Sequence, residues 1–201
     1  MLRKIEKSIF LTKPIIGIVG RKDNEIIKVN NSIVKAIIKC GGNPILILPS
    51  NRLKDILKIC DGIVMPGGTD IYDYDKYICN YAIENDIPLF GICLGMQIMV
   101  NTIELNIKNH NNVTHKITTI KGSIIGKIIG NSYVNSRHNY HVVDVGNYKV
   151  TAYSDDGIIE AIEYPNKKFN IGVQWHPEDM IDFDIKQFNL IKELINATEC
   201  K

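Results

Sequence analysis

The chain has 201 residues with 24 basic and 22 acidic side chains, a net charge of +2. That balance argues against nucleic acid as the default partner, and the length fits one compact domain with a full core. Apolar residues at 45% and charged residues at 23% exclude disordered and fibrous chains. No apolar run reaches the roughly 18 residues of a membrane helix, because Lys, Asn, Gly or Pro interrupts every Ile-rich stretch. Glu6, Lys7 and Lys13 break the apolar positions of the first 13 residues, so they are read as an extension without an export signal, ahead of a single domain over 14–201. Cysteines at 40, 60, 79, 93 and 200, without C-x-x-C spacing, suit a reducing cytoplasm better than a disulfide framework.

The first half repeats a short β-rich run, a turn and a segment of helical spacing, the rhythm of a parallel α/β sheet. Strands are expected at Ile15 to Val19, Ile45 to Leu48, Gly62 to Met65 and Pro88 to Ile92, each flanked by Pro or Gly. Helices are expected over Val29 to Lys39, stopped by Gly41 and Gly42, and over residues 75–85. After about residue 105 the pattern becomes strand-rich, with runs at Ile124 to Ile129, His141 to Val145, Lys149 to Tyr153, Ile158 to Glu163 and Phe169 to Val173. A final helix is expected over about Asp184 to Ala197. The fold class read from this order is α/β, a single domain with a mainly parallel central sheet, flanking helices and a strand-rich second half.

The most informative segment is Gly91-Ile92-Cys93-Leu94-Gly95, a G-x-C-x-G at a strand-to-helix junction. It is the thiol form of a nucleophile elbow, in which a sharp turn lifts the nucleophile and leaves no room for a Cβ at either glycine. A sulfur at a helix N-terminus meets the positive end of the dipole, which favours the thiolate. Cys40, Cys60 and Cys79 lack that setting and are read as packing residues.

A cysteine nucleophile needs a base held by a third group. Gln174-Trp175-His176-Pro177-Glu178, at the end of an expected strand, offers His176 as the base and Glu178 as its partner. An α/β-hydrolase order would put the acid before the histidine, with Asp155 or Asp156 in that role. Pro66-Gly67-Gly68-Thr69-Asp70 closes another strand, and the Gly68 and Leu94 amides are read as the oxyanion hole. Asp70, Asp73 and Asp75 are read as loop and first-turn acids, and no metal is expected.

Together these pieces resemble the class I glutamine amidotransferase superfamily, and within it the γ-glutamyl hydrolase, or peptidase C26, branch. The resemblance runs from about Pro14 to Ala197 and includes Pro66 to Ile71 and Val134-Asn135-Ser136-Arg137-His138, similar to that branch's V-N-S-x-H segment. It departs from the branch at Asn139 and Tyr140, where a second His and a Gln often stand. The resemblance implies a Cys93-His176-Glu178 triad and no cofactor. It places Gly67, Gln97, Ser136, Arg137 and His138 around a small γ-glutamyl substrate. The reaction implied is hydrolysis of a γ-glutamyl amide through a γ-glutamyl thioester, with no protein partner required. The alternatives are a glutaminase subunit of a two-protein amidotransferase, a γ-glutamyl-γ-aminobutyrate hydrolase, and a noncatalytic binding domain of the same fold.

Residues 105–143 contain no acid but hold Lys108, Lys116, Lys121, Lys127 and Arg137 with four histidines, so this block carries +5 and the remainder −3. Such a field attracts anions. It favours a phosphate-bearing substrate, and the resemblance supplies a candidate in γ-glutamyl-CDP-amidate, an intermediate of capsule phosphoramidate biosynthesis.

Overall fold

The structure, a computed structural model, describes residues 13–100, 102–105 and 110–199. Lys108, Cys200 and residues 1–12 of the expected extension lie outside the described residues. The chain runs β1 (Ile15–Val19), β2 (Arg21–Asp23), β3 (Ile26–Lys28), α1 (Asn31–Cys40), β4 (Asn43–Ile47), α2 (Leu53–Ile59), β5 (Gly62–Met65), α3 (Asp73–Glu84), β6 (Leu89–Ile92) and α4 (Leu94–Met99). It continues through β7 (Thr102–Leu105), β8 (Asn111–Thr119), α5 (Ile124–Ile128), β9 (Ser132–Arg137), β10 (Tyr140–Asp144), β11 (Lys149–Ser154), β12 (Ile159–Glu163), β13 (Asn170–Val173) and α6 (Ile185–Glu199), with a 3₁₀ turn at Pro177–Asp179.

Nine strands form one sheet in the order β4-β1-β5-β6-β13-β12-β11-β8-β9. The first five are parallel and the last four antiparallel. β13 lies late in the chain but joins the parallel half, beside β6, with Val173 opposite Ile92. The carboxyl ends of β5, β6 and β13 therefore stand side by side, the edge at which open α/β sheets build their sites.

Alternation along β1 shows why the sheet is covered on both faces: Ile16 and Ile18 pack into a core with α1, α5 and α6, while Val19 joins a core with α2, α3 and α4. A strand buried on both faces reads as a continuous apolar run, as β1, β5 and β6 do. Local chemistry ends the helices where expected. Asn30 accepts from Ser32 N to start α1, and Gly41 stops it at φ 99°, where a side chain would be strained.

The segment Ile124 to Ile129 corrects the sequence reading. It is not a strand but the helix α5 with its C-terminal cap. Ser123 Oγ accepts from Gly126 N, and the Glu163 carboxylate takes the amides of Ile124 and Ile125 at 3.1 and 2.8 Å. These bonds satisfy the free donors of the first turn and outweigh the β preference of isoleucine, while Ile125 and Ile129, four apart, reach the core together. The sequence reading also passed over α2, the β2–β3 ribbon and β8, whose alternation is masked by Asn and His.

The turn into α4 is the tightest packing in the fold. A Cβ on Gly95 would lie 2.0 Å from Met65 O, and one on Gly91 would lie 2.8 Å from Gly95 C and 2.4 Å from Met99 Sδ. Gly95→Ala should therefore destabilise by about 1 kcal/mol or more, lowering Tm by at least about 2–4 °C. Thermal melts followed by circular dichroism check this, and an unchanged Tm would contradict the packing described.

Candidate active site

Cys93 sits between β6 and α4 with φ 51° and ψ −105°, a left-handed backbone carried by a non-glycine residue. Such a conformation costs about 1–3 kcal/mol and persists where its surroundings over-determine it. Here Cys93 N donates to Val173 O at 2.8 Å, and its carbonyl accepts from Gln97 N at 3.2 Å. The sulfur thus stands at the N-terminus of α4, where the Leu94 amide has no intrahelical acceptor.

His176 comes from the neighbouring strand end, three residues beyond β13. Its Nδ1 lies 2.9 Å from Glu178 Oε1, and Glu178 is itself buried. The backbone is gripped from two sides. Asn135 Nδ2 donates to His176 O at 2.9 Å, and His176 N donates to Asn135 Oδ1 at 2.8 Å. One residue earlier, Trp175 is fully buried and donates from Nε1 to Gln187 Oε1 of α6 at 2.9 Å. Pro177 opens the 3₁₀ turn that brings Glu178 back beneath the ring.

The two groups interact. Burial disfavours a charged His176, but its contacts with Cys93 and Glu178 outweigh burial and raise its pKa from 6.5 to about 9. Near neutral pH the ring is cationic and lies between a sulfur and a carboxylate. Burial instead pushes the other thiols up, Cys40 and Cys60 to about 11 and Cys79 to about 12.

The Pro66 to Asp70 loop closes the third side. A Cβ on Gly67 would come within 3.0 Å of His176 Cε1 and 3.6 Å of Cys93 Cβ, so a side chain there would crowd the His176 ring. Gly68 lies against Leu94, its notional Cβ 3.1 Å from Leu94 Cδ2. The loop therefore runs beside both the sulfur and the start of α4.

Of the other residues singled out in the sequence, Gln97 is buried and donates to Tyr140 O at 3.2 Å and Gln174 Oε1 at 3.1 Å. Gln174 in turn points its amide at Cys93 Sγ, 3.6 Å away. The side chains of Ser136 and His138 are buried and turned inward, to His110 O and Tyr140 O respectively. Only the backbone of that segment and Arg137 are left to face solvent. Arg137 pairs with Asp179, which follows Glu178. Asp156 bonds to Ser154 and to His110, and Asp155 is exposed, so the acid-before-histidine arrangement is not the one the fold builds.

The described residues of the basic block do not line the neighbouring cleft. Lys116, Lys121 and Lys127 are exposed on β8, the turn after it and α5, while three histidines of the block are drawn into a separate cluster. A cleft of 510 Å³ instead opens beside Gly67 and Gly68, lined by Arg21, Lys22, Lys28, Asp23, Asp70 and Tyr72 among others. Sequence reasoning missed these cations because the β2–β3 ribbon carries no motif. Arg21 is buried and held by Asp75 through one nitrogen at 2.7 and 2.8 Å, and its Nε and Nη2 have no hydrogen-bond partner. Asp75 also accepts from Tyr72 N at 2.9 Å, so this acid of the D-x-x-D-x-D run is engaged within the fold.

Residues 72–178 match the family model for peptidase C26. A glutamine amidotransferase-like protein of Rickettsia prowazekii is 31% identical over 82% of this chain and 86% of its own length. The γ-glutamyl-γ-aminobutyrate hydrolase of Escherichia coli K12 is 26% identical over 84% of this chain and 87% of its own. Among solved structures, a GMP synthase subunit from Thermoplasma acidophilum superimposes with a TM-score of 0.76 at 16% identity, over 94% of this chain and 95% of that one.

Because Cys93 lies beside a cationic His176 while Cys40, Cys60 and Cys79 are buried with raised pKa values, brief iodoacetamide treatment at pH 7 should modify Cys93 before those three. Peptide mass mapping reads the order, and preferential labelling of Cys40, Cys60 or Cys79 would contradict the electrostatics described.

Proposed function

The chain belongs to the peptidase C26 family, and from that premise we propose that it is a cysteine hydrolase releasing glutamate from a γ-glutamyl amide, with residues 14–201 as one catalytic unit behind a 1–13 extension. The observation that carries the proposal is the placement of His176 between Cys93 and the buried Glu178, at the ends of adjacent strands.

The Cys93 thiolate attacks the γ-carbonyl carbon, and a carbon–sulfur bond forms as the carbonyl becomes an oxyanion held by the Gly68 and Leu94 amides. His176 gives its proton to the amide nitrogen, the carbon–nitrogen bond breaks, and a γ-glutamyl thioester remains. His176, now neutral, takes a proton from water, which hydrolyses the thioester to glutamate and restores the thiolate and imidazolium. Glu178 orients the ring through Nδ1 and transfers no proton. Gln97 and the backbone around Ser136 to Tyr140 are assigned to the α-amino and α-carboxylate groups of the glutamyl moiety.

For the leaving group we propose an anion, with γ-glutamyl-CDP-amidate, giving cytidine diphosphoramidate, as the candidate. The support is the cleft beside Gly67, whose 510 Å³ suits a small-molecule site and whose wall carries Lys22 beside the Arg21–Asp75 and Lys28–Asp23 pairs and Asp70. A second reading, a glutaminase subunit serving a synthase, is favoured by the likeness in fold to the GMP synthase subunit.

Glutamate release from γ-glutamyl-CDP-amidate, γ-glutamyl-γ-aminobutyrate and glutamine, assayed at low and high salt, separates these readings. The nucleotide should be preferred, with its advantage reduced by salt and by Lys22→Ala. Equal or faster turnover of glutamine would transfer the proposal to the amidotransferase subunit.

Cys93→Ala should abolish turnover, and His176→Asn should cost about 10²-fold or more. Glu178→Gln should cost less than either. The reverse order for His176 and Glu178 would contradict the roles given.

The pH profile follows from the raised pKa of His176. The proton donor is present below about 9 and lost above it, so kcat/KM should fall as pH rises through about 9. A fall centred near 6.5 would mean that Cys93 and Glu178 do not hold the proton on the ring.

A further inference from the structure

Three histidines and a glutamate converge at a place the hydrolytic reaction does not use. His110 and His115 come from the start and middle of β8, His138 from just past β9, and Glu160 from β12. His110 and His138 are each 3% exposed and Glu160 is 0% exposed. A carboxylate so deeply buried is costly unless it is paired or binds a metal. Yet neither Glu160 oxygen makes a well-formed hydrogen bond, and His115 Nε2 has no partner.

The spacing fits a single ion. Glu160 Oε1 lies 3.5 Å from His110 Nδ1, 3.5 Å from His115 Nε2 and 3.6 Å from His138 Nε2. His110 Nδ1 and His138 Nε2 are 3.2 Å apart, and all four ligand atoms lie within 4.8 Å of one another. A tetrahedral Zn²⁺ with bonds of about 2.0–2.1 Å sets its ligand atoms about 3.3–3.4 Å apart.

The outer nitrogens fix which atoms face inward. His138 Nδ1 lies 2.9 Å from Tyr140 O, a carbonyl that can only accept, so that nitrogen carries the proton. His110 Nε2 donates to Asp156 Oδ2 at 3.0 Å, and His115 Nδ1 meets Lys116 O at 3.3 Å. With those nitrogens taken by outer partners, the inner nitrogen of each ring faces the centre, where it meets the Glu160 carboxylate. A carboxylate or carbonyl on the far nitrogen is also how metal-bound histidines are held.

We propose that His110, His115, His138 and Glu160 form a zinc-binding site. Three imidazole nitrogens and one carboxylate oxygen are a borderline donor set that suits Zn²⁺ over Mg²⁺ or Ca²⁺. Four protein ligands leave no position for an activated water, so the ion is structural. It ties the β8–β9 hairpin to β12, the strand beside β13. The same hairpin carries Asn135, which grips the His176 backbone, and Tyr140 O accepts from both His138 and Gln97. The proposal departs from the expectation that the chain holds no metal, which arose because the members of this cluster are scattered over about fifty residues of sequence.

The test is metal content of the full chain by elemental mass spectrometry, after incubation with Zn²⁺ and gel filtration. The wild type should hold about one equivalent, as should a Cys93→Ala/His176→Asn double variant, which excludes binding at the thiol and its base; Glu160→Gln should hold less than about a tenth. Asp156→Asn changes an exposed carboxylate and keeps all four ligands, so it should fold, bind Zn²⁺ about 10–100-fold more weakly and show no loss of secondary structure. Co²⁺ in the wild type should give the visible absorption of tetrahedral coordination, and Tm should fall with chelator and recover with Zn²⁺. A wild type below about a tenth of an equivalent would mean that the cluster is held by protons and would overturn the proposal; so would loss of metal from the double variant or a full equivalent in Glu160→Gln.

Discussion

Everything at this sheet edge depends on how closely the turn after β6 approaches β5. Gly95 lies so near Met65 O that no Cβ could be placed between them, and this contact seats α4 directly behind Cys93. With α4 in that position, Cys93 takes a positive φ of 51° and its sulfur stands at the helix N-terminus. The same closeness lets the Gly67–Gly68 backbone lie against His176, Cys93 and Leu94. The fold thus brings the Cys93 sulfur, His176 and two glycine amides together around one close backbone approach, that of Gly95 to Met65.

The base is positioned differently. His176 stands beyond the last parallel strand and is fixed by side chains from both halves of the sheet: Trp175 reaches α6, and Asn135 reaches across from β9. The antiparallel half is therefore more than a cover for the core. Its β8–β9 hairpin holds the loop that carries His176, and His110, His115 and His138 meet Glu160 of β12 in a buried cluster. The order of the hairpin thereby bears on where His176 stands.

What was legible in the sequence follows the range of the forces involved. Runs buried on both faces, such as Ile15–Val19 and Gly62–Met65, announce themselves as strands because nothing polar interrupts them. G-x-C-x-G is legible because its glycines answer a local steric demand. Ile124–Ile128 misleads because its helix is decided by Ser123 and by Glu163, a residue far along the chain. The cations of Arg21, Lys22 and Lys28 escaped notice for the same reason, since only the fold carries the short β2–β3 ribbon to the Gly67 loop. Conversely, the acid-free stretch 105–143 reads as one basic surface, yet three of its four histidines turn inward to Glu160 and its Arg137 pairs with Asp179. Charge counted along the chain does not say which way a side chain points.

The central claim is covalent catalysis at Cys93, and the most direct test is the mass of the intact protein quenched in acid during turnover of a γ-glutamyl amide. The account predicts a population heavier by one glutamyl residue, with the added mass mapping to the peptide containing Cys93 and disappearing once substrate is exhausted. Glutamate release with no such adduct, in wild type and in a slowed Glu178→Gln variant alike, or an adduct on another residue, would contradict it.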